Sequence, residues 1–501
     1  MRRSSSLYLF TACTLIASLA GCRPGDDGTE TASRNASDTA PATHDAEVAV
    51  TSASDEARTL YLRGRQLSDQ LRLHDARKLF EEAAAKDPSF ALAHYDLAIA
   101  SPGPKEFQEH LDEAVKLASQ ASEGERLMIM ALQAGSTGDS KKSLEYTEEL
   151  AAKYPRDARA QTLLGFGYSG VQQFDKAVAT VTKATEIDPG YAPAYNLLGY
   201  AYMPQGKYAE AETAFKKYIE LVPNDPNPYD SYAELLMKMG RFDESIVQYR
   251  KALSIDPHWS NAHVGIASNL MYQGKHDAAA AEAQKLADAA RDDGDRRLAM
   301  QTRAVVYVDQ GRTTQAMRQM EQFYSLDARL GDTVGMSNEA VQMGDILLEA
   351  GQADQAAKQY QRAAALVEKS NLSAEIKEFT QLADHYNLAR VALAKGDVAG
   401  ARTHAEQYRT GVEATEDVAR IRAAHELAGK IALQEKDFDG AVSHLGQADQ
   451  QDPYVLYTLA TAYQKKGDSA KAKELAKQAA SANSLPTLRY AFVRSKAIKM
   501  D

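Results

Sequence analysis

The stretch "YNLLGYAYMPQGKYAEAETAFKKYIELVP", Tyr195 to Pro223, places two helix-length runs on either side of a Gly-Lys turn. Each run sets one very small residue among large ones, Gly199 in the first and Ala211 in the second. Glycine inside a helix costs roughly 1 kcal/mol against alanine, so packing must require it. Two antiparallel helices approach closely only where a side chain is nearly absent, and Leu198, Tyr202 and Phe215 then fill the seams. Gly206 serves the turn, and Pro223 stops the second helix.

The pattern recurs. Pro155, Pro189, Pro223 and Pro257 lie 34 residues apart. Aligned on them, Gly165, Gly199, Ala233 and Ala267 form a small column. Ala177, Ala211, Ser245 and Ala279 form a second, and Val181, Phe215, Tyr249 and Ala283 form a larger one. This resembles the 34-residue pattern of the tetratricopeptide repeat. The resemblance implies an all-α, right-handed α-solenoid. "LYLRGRQLSDQLRLHDARKLFEEAAAKDP" repeats the offsets with Gly64, Ala76, Phe80, Ala83 and Pro88, and "SPGPKEFQEH" (101–110) interrupts a poorer unit. Past Gly294 the units loosen, with Ala316, Ala356, Ala401, Ala441 and Ala472 marking second helices. The expectation is a regular array over 55–293, a looser one over 294–486, about twelve pairs in all, and a basic C-terminal capping helix over 487–501.

Working outward, 501 residues exceed one ordinary core. The net charge of −11 disfavours phosphate backbones and anionic surfaces, so nucleic acid is excluded as a partner. The start, "MRRSSSLYLFTACTLIASLAGC", has a charged beginning, a short apolar run and small residues before Cys22, which is the form of a secretory signal. Leu19-Ala20-Gly21-Cys22 resembles the lipobox of bacterial lipoproteins. That implies a signal peptide over 1–21, palmitate-type acylation of Cys22 and membrane anchoring. Arg23, rather than aspartate, implies sorting to the outer membrane, facing the periplasm. With Cys13 removed and Cys22 lipidated, no thiol is left for a disulfide, a zinc cluster or a nucleophile. The Ser-, Thr- and Asp-rich stretch 22–54 reads as a flexible tether reaching about 30 Å.

Chemistry finds little footing. "GFGYSG" (165–170) matches a dinucleotide motif literally but falls inside a repeat's first helix, without the strand that motif needs. His258, His263 and His276 lack metal-ligand spacing. "RDDGDRR" (291–297) lacks the bidentate glutamate of a calcium loop and reads as a solvated break. Carboxylates alternate with lysines on helix faces, without a pair across a cleft. The expectation is therefore a non-enzyme without cofactor or metal.

In the family it resembles, repeat positions 2, 5, 9, 12 and 13 of the first helices face a concave groove. Carried over, they nominate Phe166, Asn196, Tyr200, Met203, Asp230, Glu234, Met237, Met271 and Tyr272, with Arg159 and Lys238 among their neighbours. Met203, Met237 and Met271 share one column, suited either to an apolar stripe for varied partners or to plain packing. Position 9 (Phe166, Tyr200, Glu234, Ser268) departs from the carboxylate clamp of chaperone-binding repeats. The expected function is a lipid-anchored scaffold binding segments of other envelope proteins. The alternative is a glycan or peptidoglycan polymer in the groove, drawing on Tyr200, Tyr272, Asn196, Asn227 and Asn261.

Overall fold

The computed structural model describes residues 47–500 apart from 71, 138, 373 and 414–416. The signal stretch and Cys22 lie outside the described residues. The helices pair in chain order: α1 (Asp55–Asp69) with α2 (Leu73–Lys86), α3 (Ala91–Ile99) with α4 (Pro104–Leu117), and α5 (Glu123–Ser136) with α6 (Ser140–Lys153). Next come α7 (Ala158–Gly170) with α8 (Phe174–Ile187), α9 (Ala192–Tyr202) with α10 (Tyr208–Leu221), α11 (Asn227–Lys238) with α12 (Phe242–Ile255), and α13 (Ser260–Tyr272) with α14 (His276–Ala289). The looser part holds α15 (Asp293–Asp309) with α16 (Thr313–Leu330), α17 (Thr333–Glu349) with α18 (Ala353–Glu368), and α19 (Ala374–Ala394) with α20 (Val398–Glu413). It closes with α21 (Val418–Glu435) and α22 (Phe438–Gln447), α23 (Pro453–Lys466) and α24 (Ser469–Ala480), then α25 (Leu488–Met500). No strand occurs among the described residues, and the twelve pairs build an α-solenoid.

Close approach is what the small residues provide. A Cβ on Gly199 would stand 2.5 Å from the Phe215 ring, and one on Gly64 2.7 Å from that of Phe80. Gly165 meets Val181 in the same way, so the glycines of "GFGYSG" belong to a helix. First helices of successive pairs pack on one another, as α7 on α9 and α11 on α13, while second helices pack on first helices. That arrangement puts the first helices on the inner face of the curve. The change of character near 294 is one of length: α15 to α21 run 16 to 21 residues, against 9 to 15 in α1 to α14.

Two segments differ from their sequence expectations. Residues 47–54, assigned to the tether, run extended across the loops between the first four pairs. The Val48, Thr51 and Ala53 amides donate to Asp157 (2.8 Å), Glu125 (2.6 Å) and Asp87 (2.8 Å), and Val48 and Val50 pack on the first core cluster. Fixed carboxylates at loops and N-caps can order a strap whose side chains alone would not. Nor is "RDDGDRR" merely a solvated break. Arg297 is only 7% exposed, pairs with Asp327 at 2.6 Å and Asp332 at 3.0 Å, and donates to the Pro102 carbonyl at 2.7 Å. The array coils until the loop of "SPGPKEFQEH" meets α15, and α4 meets α17.

Candidate binding groove

The nominated residues follow the inner face from α7 to α13, but their environments diverge. Phe166 stands 43% exposed on α7. Asn196 is half-buried on α9, and its Oδ1 lacks a hydrogen-bond partner. Tyr200 meets Phe215 edge-on at 5.2 Å. Met203 is buried with Phe215, Tyr232 and Leu235, so at this repeat the methionine packs between helices.

Asp230 and Glu234 lie one helical turn apart on α11, both buried. Asp230 accepts from Trp259 Nε1 at 3.0 Å. Burial raises the Asp230 carboxyl above the ordinary carboxylate range, with the Trp259 bond opposing. Burial, then the neighbouring Asp230 charge, raises Glu234 further, with Tyr200 opposing. Both carboxyls thus sit where burial disfavours their charged form.

Met237, Met271 and Tyr272 do not line an open groove. They share one buried cluster with Leu488, Tyr490, Ala491, Phe492 and Val493 of α25. This helix packs on α23 and α24, as a cap would, but also on α15 and α17 in the middle of the array. Its Arg494 grips Asp309 with two bonds of 2.7 Å and reaches the Met271 carbonyl at 3.2 Å. The connection before it is held too. Lys238 Nζ donates to the Ala482 carbonyl at 2.7 Å, and Tyr272 Oη donates to the Ser484 carbonyl. Tyr272 and Tyr490 rings lie 5.9 Å apart. Around the rim, Lys496 pairs with Glu349 at 3.1 Å, and Arg489 with Asp452 at 2.6 Å and Glu426 at 2.9 Å. Asp309 and Arg494, which form the buried ion pair of this arrangement, were not nominated from sequence, since nothing local marks them.

Toward the N-terminus the inner face stays uncovered by α25. There Tyr61 Oη donates to Asp96 at 2.7 Å, and Arg159 stands 3.7 Å from the same carboxylate. Burial works against the Arg159 charge, and Tyr61, Asp96 and Asp69 more than offset it. The three histidines of one repeat have separate partners: His263 with Glu282 at 2.7 Å, His276 with Asp309 at 2.8 Å, His258 with the Ala289 carbonyl at 3.0 Å. Among the described residues, no group of three His, Cys, Asp or Glu is placed to hold a metal, and no helix is long and apolar enough to cross a membrane.

A family model described as tetratricopeptide repeat matches residues 170–235 and 432–490, and others of the same description match 61–101, 227–258 and 385–407. No curated protein matches the chain. Among solved structures, a thermophilic repeat protein of Thermus thermophilus is 25% identical over 43% of this chain and 98% of its own, with a TM-score of 0.29. A repeat protein from Parabacteroides merdae is 16% identical over 51% of this chain and 96% of its own, with a TM-score of 0.35. YrrB, a repeat protein with an unusual peptide-binding site, is 19% identical over 37% of this chain and 94% of its own, at 0.26.

Proposed function

The chain carries tetratricopeptide repeats, which generally serve as non-catalytic protein-interaction scaffolds, and on that premise we propose that it is a lipid-anchored adaptor holding segments of other envelope proteins in its groove. The observation that carries this reading is α25. The inner face already accommodates a protein segment through apolar anchors, hydrogen bonds to main-chain carbonyls and a buried ion pair. A surface of that kind recognises helical and extended segments. The stretch free of α25 runs from α1 to α9, where exposed Phe166 offers an apolar foothold and Arg159, held by the buried Tyr61–Asp96 pair, a polar one. Cys22 would carry the lipid, and Arg23 would send the protein to the outer membrane, facing the periplasm.

The glycan alternative is the weaker. It needs aromatic and amide groups free at the surface, whereas Tyr272 is covered and Asn227 donates to Tyr218 Oη at 2.7 Å. A photo-crosslinking residue at position 166 in living cells should capture a small, reproducible set of envelope proteins. Capture only from a convex position such as Lys183 would overturn the groove reading. Cys22→Ser should release the chain from the membrane fraction; continued retention would remove the lipid anchor from the account.

A further inference from the structure

We infer that Lys238, Tyr272 and Asp309 form a segment-reading site on the inner face, occupied in cis by residues 482–494 and open to a partner segment of the same pattern. That pattern is a short non-helical turn followed by a helix carrying apolar anchors and an arginine. The inference rests on the scaffold reading and deepens it by naming the chemistry of the ligand.

A capping helix needs to cover only the last pair, yet this segment reaches back to α11, α13 and α15. Its connection is not helical between Ser481 and Thr487, and the two side chains that hold it bind main-chain carbonyls, those of Ala482 and Ser484. Carbonyl contacts ignore side-chain identity, so they would hold another stretch that makes the same turn, in which Asn483 takes a left-handed φ of 42°. Specificity comes from Asp309. Its two oxygens receive the forked guanidinium of Arg494 in a buried setting, a geometry that lysine cannot reproduce. Between them lie Met237 and Met271, flexible side chains that can repack around a different apolar anchor. Without the segment, Met237 and Met271 would lose the apolar residues of α25 that share their cluster.

Occupation in cis sets the strength a partner must have. A segment joined by a short connection acts at an effective concentration on the order of millimolar. A partner segment of equal intrinsic affinity is therefore held off until its own concentration approaches that level; at lower concentration it must bind correspondingly tighter than the resident copy, or the C-terminal segment must first be withdrawn by contacts elsewhere. The site would thus be read only by ligands that beat the resident copy.

The test uses the full chain and a labelled synthetic peptide of residues 481–500 as the probe. The wild-type chain should take up the peptide weakly, and Arg494→Ala, which loosens the resident segment, should bind it about tenfold tighter or more. Adding Asp309→Asn to Arg494→Ala should abolish that gain. Uptake by Arg494→Ala no better than by wild type, with helicity and melting retained, would overturn the inference, as would a gain indifferent to Asp309→Asn. Should Arg494→Ala unfold, a protease site placed between Ser481 and Ala482 frees the resident segment together with both held carbonyls. After cutting, exchange of the resident segment for labelled peptide supports the site, and no exchange overturns it. Failure here with capture from position 166 intact would remove this site and leave the scaffold reading standing.

Discussion

Gly199 and Gly170 are both helical glycines, and they should answer alanine in opposite ways. A methyl at Gly199 meets the Phe215 ring, whereas one at Gly170 meets nothing within 4 Å. Overpacking costs about 1–3 kcal/mol and alanine recovers roughly 1. Gly199→Ala should therefore lower the melting temperature and Gly170→Ala should not. Lys436 holds a left-handed turn position (φ 66°) that glycine holds in most other pairs, as Gly206 does (φ 69°). Lys436→Gly should stabilise by about 0.5–1 kcal/mol, read as a higher melting temperature. The Asp230–Glu234 pair gives a pH prediction. Both carboxyls are raised in the fold, so the folded state holds more protons than the unfolded one above the ordinary carboxylate range near pH 4. Their contribution is present at acid pH and lost as pH rises. Resistance to urea should decline from pH 5 to 8, and Asp230→Asn, which keeps an acceptor for Trp259, should flatten that decline; an unchanged slope would contradict it.

Helix pairs were legible wherever the spacing was rigid. From the left-handed turn residue to the small residue of the second helix is always five positions, as in Gly206 to Ala211, Gly351 to Ala356 and Gly467 to Ala472. That is why Ala316, Ala356, Ala401, Ala441 and Ala472 could be placed on second helices despite irregular repeat lengths. The close-packing contact keeps sixteen positions, Gly344 to Tyr360 and Gly429 to Leu445 repeating Gly199 to Phe215. The first pairing escaped an alignment on prolines because its unit has Glu368 at that place; the second carries Pro453 there, twelve positions past Ala441 as Pro223 is past Ala211, but stands off the 34-residue spacing of the other four. The strap at 47–54 was illegible for another reason. Its order comes from amides meeting distant carboxylates, which composition does not register. Arg297 belongs to the same class. Arg297→Ala would strand Asp327 and Asp332 in a buried site and should cost about 3–5 kcal/mol. Denaturation of that variant alongside Arg296→Ala, an exposed neighbour expected to be near neutral, checks the assignment.

At the scale of the whole molecule, the sequence describes a stack and the structure describes a stack that coils back on itself. The C-terminal helix was legible as a helix and as a neighbour of the last pair. Its lodging in the groove was not, since Arg494 finds Asp309 across 185 residues and Ala482 meets Lys238 across 244. Contacts of that range leave no periodic trace. They also decide which part of the inner face remains for partners, so groove positions inferred from a single repeat should be weighed against what the rest of the chain lays over them. The most direct test is a benzophenone photo-crosslinker in place of Tyr490 in the purified full chain, with fragments mapped by mass spectrometry. A bond to the α13 fragment containing Tyr272 is the predicted result. Bonds confined to fragments of α23 and α24 would mean a simple terminal cap over an empty groove, and would contradict the account.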